Sequence, residues 1–173
     1  ASSRQLLDLI SKVLEISWTE SKDFHVIESE CNLNDILQDI HRTLFSKASE
    51  KNISFYLSAA GLEHSEVISD RDKLKQLLLY LVDNAVTYTK HGGRVDFIAV
   101  ELEQQSMEHA IYQFVIRDTG IGIKDEHLKQ IFEPFEREKN TTFSGIHGTG
   151  LGLTIARNIT HMLGGNIEVE SIV

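Results

Sequence analysis

Two glycine clusters constrain this chain more than any other feature of it. Asp118-Thr119-Gly120-Ile121-Gly122-Ile123 ends a strand-like run, and Gly148-Thr149-Gly150-Leu151-Gly152-Leu153 opens a helix-like one. Without a Cβ the backbone turns sharply and approaches a neighbour or a ligand closely, so each cluster marks a junction where main chain is presented. A single cluster says little, because glycines punctuate loops in any fold. Here a third element, Asn84-Ala85 on a strongly amphipathic helix, precedes both. Three elements in this order, each in a fitting local context, read as a nucleotide site.

Composition narrows the alternatives. With 173 residues the chain can bury a real core, enough for one domain and a short appendage. Its single cysteine, Cys31, rules out an intramolecular disulfide and a cysteine-built metal site, and suits a reducing, cytoplasmic setting. The net charge of −9, with no lysine or arginine run, argues against nucleic acid as a partner. It leaves room for a nucleotide, which a few backbone N–H groups and a metal ion can hold. No apolar stretch of about 18 residues and no signal peptide are present, so no membrane contact is expected of this chain. It starts inside a helical pattern and stops just after a strand-like run, and is expected to be part of something larger.

Residues 4–20 carry Leu6, Leu9, Ile10, Val13 and Ile16 on one helical face, broadened by Leu7 and Leu14. That stripe fits a helical hairpin or bundle. A polar linker, residues 21–24, leads to the body of the domain. A strand is expected at 25–30, then a helix capped by Asn32 or Asn34 and running to about Lys51. Strands at 53–59 and 67–69 follow, and then a helix over 71–90. Leu74, Leu77, Leu78, Leu81, Val82 and Ala85 form its core face. Tyr80, Asn84 and Thr87, with Tyr88 beside them, form an adjacent stripe that can face a ligand.

Runs 94–103 and 111–118 read as a hairpin. Tyr112, Phe114, Ile116 and Asp118 alternate onto one face, placing a carboxylate at the end of an apolar row, where it needs a hydrogen-bond partner or loses its charge. An amino group on a purine edge would be such a partner; capping of the Thr119-Gly120 turn is the alternative. A short helical turn at 125–132 precedes Glu133-Pro134-Phe135 and a polar segment, 136–147, with the composition of a mobile loop. The second cluster then opens a helix to about Leu163, where free N–H groups and a partial positive charge suit phosphate. A last strand is expected at 166–170.

These residues, in this order, resemble the catalytic ATP-binding domain of sensor histidine kinases, in the superfamily shared with gyrase, the heat-shock chaperone and mismatch-repair ATPases. Asp70 through Thr89 is similar to the family's asparagine box, Asp118 to Ile123 to its first glycine box, Phe132-Glu133-Pro134-Phe135 to its phenylalanine box, and Gly148 to Leu153 to its second glycine box. The resemblance implies ATP and Mg²⁺ as cofactors, with Asn84 on the metal and Asp118 on the adenine amino group. It also implies an aromatic ring, Tyr88, near the base. Gly120, Gly122, Ile123, Phe135, Gly148, Thr149, Gly150, Leu151, Gly152 and Leu153 would complete the cofactor-binding set. The implied fold is α+β: a two-layer α/β sandwich of the Bergerat type, a mixed sheet of about five strands with three helices on one face. Residues 1–22 resemble the second helix of a dimerisation and histidine phosphotransfer hairpin, leaving 23–173 as the catalytic domain. The implied partners are ATP, the phosphoacceptor helix of the same protein in a dimer, and a response regulator receiver domain.

Two positions depart from the family pattern. Tyr80 stands where an asparagine is usual, and a phenol is a poorer Mg²⁺ ligand than an amide carbonyl. Thr87 stands where a lysine is usual, removing a charge from the phosphate pocket that Lys90, Arg137 or Lys139 would have to replace. Hydrolysing relatives carry a glutamate at the position of Tyr80; a phenol with a pKa near about 10 is no general base at neutral pH. His41-Arg42-Thr43-Leu44 lacks the acidic residue and proline of an acceptor motif and reads as surface. His147 reads as loop filler, and the other histidines show no metal-ligand spacing. The acceptor histidine is therefore expected before residue 1, and the chain is expected to bind ATP without autophosphorylating. The alternatives are a regulatory module that binds a partner without nucleotide, and a gyrase-like or chaperone-like ATPase.

Overall fold

The computed structural model describes residues 25–102, 109–128, 130–134 and 151–173. Glu28–Ile121 forms one compact unit; Ala1–Ile27 and Gly122–Val173 are assigned to a second, and the boundary falls inside the first glycine cluster. The expected helix at 4–20, Phe135, the loop 136–147, and Gly148, Thr149 and Gly150 lie outside the described residues.

In the first unit, β1 (Ser29–Asn32) runs into α1 (Leu33–Glu50), followed by β2 (Ser54–Gly61), β3 (Glu66–Ser69), α2 (Arg71–Tyr88), β4 (Arg94–Leu102) and β5 (Ile111–Asp118). Of the two candidate caps, Asn32 starts α1: its side chain accepts from Asp35 N at 3.2 Å. The helix ends with Asn52 at φ 52°, a left-handed position that asparagine tolerates better than most residues. Asp70 caps α2 by accepting from Lys73 N at 3.0 Å. Each cap satisfies an N–H that the first turn leaves without an intrahelical partner.

The five strands divide between two sheets rather than forming one. β1 pairs antiparallel with β3, and β2-β4-β5 makes a mixed sheet, β2 parallel and β5 antiparallel to β4. In β4, Val95, Phe97 and Ala99 alternate onto the core side and are fully buried. Val95 packs with Ala48 of α1 and Ala85 and Val86 of α2, and the helices bury Leu33, Ile36, Leu37, Ile40 and Leu44 from α1 and Leu74, Leu77, Leu78, Val82, Ala85 and Val86 from α2. Each such side chain contributes about 1.5–3 kcal/mol when fully buried. An Asp39 carboxylate between Arg42, Arg71 and Lys75 links the two helices, and hydrogen bonds from Lys75 and Arg42 hold it below the usual carboxylate range.

In the second unit, α3 (Asp125–Leu128) is a single turn and α4 (Gly152–Met162) a buried-faced helix with Ile155, Ala156 and Ile159 inward. Gly164, at φ +73°, ends it. The strand expected at 166–170 does not form: those residues join no ladder among the described residues. Their alternation is regular, but it offers only two apolar side chains, Ile167 and Val169, and Val169 is exposed. Among the described residues no helix is long and apolar enough to cross a membrane.

Candidate nucleotide site

The last two turns of α2 carry the first group of candidate residues. Asn84 and Tyr88, half-buried, are one turn apart on the stripe beside the core face. The Asn84 side chain makes no hydrogen bond among the described residues. The helix closes at Thr89, whose buried Oγ1 and backbone N–H both donate to the Ala85 carbonyl, at 2.7 and 3.0 Å. That double contact stops α2 and turns the chain toward Gly92 and β4.

The end of β5 lies against this helix end. A Cβ on Gly120 would sit 2.8 Å from the Tyr88 carbonyl oxygen and 2.5 Å from Asp118 Oδ1, so only glycine permits the approach. Gly93 is similarly pressed, with Thr89 Cγ2 and Thr119 Oγ1 within 3 Å of its would-be Cβ. Thr119 fastens the turn to the start of β4: its N–H donates to the Arg94 carbonyl at 3.0 Å, and its Oγ1 accepts from Arg94 N at 2.9 Å. Asn84, Tyr88, Asp118 and Gly120 thus belong to one stretch of surface.

Asp118 differs from the sequence expectation in burial. It is exposed, like Arg117 before it, at the C-terminal end of β5. Oδ1 accepts from Gly120 N at 2.8 Å, the turn cap. A carboxylate has lone pairs beyond that one, so capping and recognition of a purine amino group are compatible. The cap holds the carboxylate in one orientation.

Two lysines join the site from α1, outside the set read from the sequence. Lys47 of α1 donates to Asp83 Oδ1 and, at 2.6 Å, to Thr87 Oγ1. Lys51, one turn on, donates to the carbonyls of Val86 and Thr87, both at 2.8 Å. Burial pushes the Lys51 ammonium below the usual lysine value, and the neighbouring Lys47 charge adds to it. The signal was present as a pair at i and i+4 on one helix, but nothing local said which helix it faced. Lys90 is exposed beyond the end of α2, and Arg137 and Lys139 lie outside the described residues.

The second unit holds the remaining described candidates. Gly122 takes φ +70°, and a Cβ there would come within 2.3 Å of the Ile172 carbonyl oxygen. Ile123 N donates to Ser171 Oγ at 2.8 Å. Leu151 is fully buried ahead of α4, which starts at Gly152 without a side-chain cap; Gly152 and Leu153 are half-buried in its first turn. Among the described residues no side-chain cap takes up its leading N–H groups. Arg157 ties α4 to the phenylalanine segment: it pairs with Glu133 at 3.2 Å, and its guanidinium lies 6.0 Å from the centre of the Phe132 ring.

Known proteins resemble this chain in sequence and in fold. The sequence profile of the family described as "Histidine kinase-, DNA gyrase B-, and HSP90-like ATPase" matches residues 69–173. Over 171 residues the chain is 33% identical to the autoinducer 2 sensor kinase/phosphatase LuxQ of Vibrio vulnificus, covering 98% of this chain and 20% of that protein. Over 170 residues it is 32% identical to the hybrid signal transduction histidine kinase B of Dictyostelium discoideum, covering 98% of this chain and 8% of that protein. Its fold is similar to that of ShkA, solved full-length in complex with AMPPNP, at a TM-score of 0.75 and 24% identity, over 94% of this chain and 32% of that one. The chain thus spans about a fifth or less of the length of these curated relatives.

Proposed function

This chain belongs to the histidine kinase-, DNA gyrase B- and HSP90-like ATPase family, and we propose that it binds ATP with Mg²⁺ as the catalytic domain of a sensor histidine kinase. The observation that carries this is the contact of Gly120 with the Tyr88 carbonyl, which joins the asparagine helix and the first glycine cluster into one surface. The sensor kinases among the relatives select the kinase branch of the family.

Each residue then has a task that its chemistry fits. Asp118, oriented by its bond to Gly120 N, accepts from the adenine amino group. Tyr88 lies beside the base. By the family pattern, Gly122, Ile123, Phe135, Gly148, Thr149, Gly150, Leu151, Gly152 and Leu153 are the further nucleotide-binding residues. Mg²⁺ takes a few protein oxygens and completes its shell with phosphate and water. The Asn84 amide carbonyl suits that role, and no cluster of three or more His, Cys, Asp or Glu side chains occurs among the described residues to form a cage. When bound, the ion neutralises phosphate charge; the protein positions the γ-phosphoryl group for in-line transfer. The acceptor is a histidine on a helix preceding this chain, in a dimer, and a receiver-domain aspartate takes the phosphoryl group next. On this reading residues 1–22 are assigned by resemblance to that hairpin and 23–173 to the catalytic domain. The chain by itself binds nucleotide without autophosphorylating, in a cytoplasmic setting.

Calorimetric titration with a non-hydrolysable ATP analogue, with and without Mg²⁺, tests the reading. Binding is expected in the wild-type chain, is lost in Asp118→Asn, and loses its magnesium dependence in Asn84→Ala. A wild-type chain that binds no nucleotide at millimolar Mg²⁺ sinks the proposal in favour of a partner-binding module, and steady hydrolysis of ATP favours the gyrase-like branch.

A further inference from the structure

Lys47 and Lys51 stand four residues apart on α1 and both reach α2, but they do different things there. Lys51 binds the backbone carbonyls of Val86 and Thr87, in a final turn that has no basic residue of its own. Its place is structural, since terminal carbonyls lack intrahelical donors and carry partial negative charge. Lys47 touches only side chains, the Asp83 carboxylate and the Thr87 hydroxyl, and remains 41% exposed. An ammonium has three N–H donors, so these two contacts leave one for a group arriving from solvent. The ion pair with Asp83 is itself half in water, at 44% exposure for the carboxylate, and exposed pairs are weakly held. Thr87 follows Asn84 by three residues, so the Lys47 ammonium rests on the turn adjoining the candidate metal ligand.

We propose that Lys47, delivered from α1, is the cation that engages the phosphates of the nucleotide bound at Asn84. Thr87 and Asp83 aim it, and the polyanion draws it from Asp83. The charge that α2 lacks at position 87 is thereby supplied across the helix pair. This inference rests on the nucleotide reading above.

The test compares adenosine with the non-hydrolysable ATP analogue, titrated into the 173-residue chain with Mg²⁺. Lys47→Met is expected to weaken the analogue about tenfold, the loss of one partly solvated charge-assisted hydrogen bond, and to leave adenosine unchanged. Adding Thr87→Lys to Lys47→Met is expected to restore the analogue. An unchanged analogue-to-adenosine ratio in Lys47→Met, no restoration in the double variant, or equal weakening of both ligands with a lower melting temperature each overturns the assignment while leaving the nucleotide site intact. A wild-type chain that binds neither ligand removes the nucleotide reading and this inference with it.

Discussion

Replacing Gly120 with alanine isolates what one methyl group does to the join between α2 and β5. The new Cβ would meet Asp118 Oδ1 at 2.5 Å, the Tyr88 carbonyl oxygen at 2.8 Å and its carbonyl carbon at 3.1 Å, well inside the 3.5–4.0 Å or so of ordinary contact. The Asp118 carboxylate can rotate away by giving up its 2.8 Å bond from Gly120 N. The Tyr88 carbonyl belongs to the last turn of α2 and moves only with the helix end. Gly120 is not among the glycines with positive φ, so the effect is steric rather than conformational. Overpacking of about 1–3 kcal/mol and a lost hydrogen bond of about 0.5–1.5 kcal/mol combine to about 1.5–4.5 kcal/mol. At about 2–4 °C per kcal/mol for a chain of this size, the melting temperature falls by about 3–18 °C. Because the displaced atoms belong to Tyr88 and Asp118, affinity for the ATP analogue falls by at least about tenfold. Gly92→Ala is the control: Gly92 has φ +77° with nothing within 4 Å, so about 1–2 kcal/mol of left-handed strain lowers stability without touching the site. Calorimetry and thermal melts on the two variants decide the matter. A Gly120→Ala chain with wild-type melting and affinity, or a Gly92→Ala chain that loses affinity as severely, refutes the reasoning.

Three further outcomes are expected. Lys51→Met removes both ammonium bonds from the carbonyl end of α2 and costs about 1–2 kcal/mol, read as a lower urea midpoint with an unchanged slope; an unshifted midpoint contradicts the role given to it. Asp70→Ala strips the cap from α2 and costs about 1 kcal/mol, whereas Asp70→Ser keeps most of the cap's stabilisation; equal losses in both variants would show that something other than the Lys73 N bond is being measured. His64 and Glu101 make the tie between the β2–β3 loop and β4 dependent on pH. The Glu101 carboxylate holds the His64 imidazole above its ordinary value of 6.5, and hydrogen bonds from His64 hold Glu101 below its ordinary 4.5. The His64 contribution is present below 6.5 and is lost as pH rises through the raised value; the Glu101 contribution is present above 4.5 and is lost as pH falls through the depressed one. Exchange of the Glu63 and His64 amides, which donate to Glu101 Oε2, should therefore be slowest relative to intrinsic rates between those limits, and a flat profile across neutral pH disproves the coupling.

Much of the site was legible locally. Asn84 and Tyr88 on one stripe, and Asp118 and Gly120 at the end of a strand, follow from helical and strand periodicity with glycine punctuation. Whether Asp118 capped its own turn or faced inward was not legible, because alternation along β5 says which side a residue takes but not how far the helix layer extends over it. The structure shows it exposed and capping. Lys47 and Lys51 were invisible for a related reason: their partners lie 35 to 40 residues away along the chain.

What the sequence determined by itself are the features whose physics is short-ranged. Asn32 and Asp70 start helices because each side chain reaches an N–H three residues on. Leu74, Leu77, Leu78, Val82 and Ala85 face the core because they recur at the helical period. Gly164 ends α4 because glycine takes a positive φ without strain. Tertiary structure alone decided the pairings that close long loops: the parallel register of β2 on β4, the separation of β1 and β3 into their own ladder, and the failure of residues 166–170 to join one. It alone placed a cation from α1 at Thr87. Local sequence sets the torsions and the apolar faces, whereas the partner of a strand edge or of a long charged side chain is set by which surfaces the core brings together.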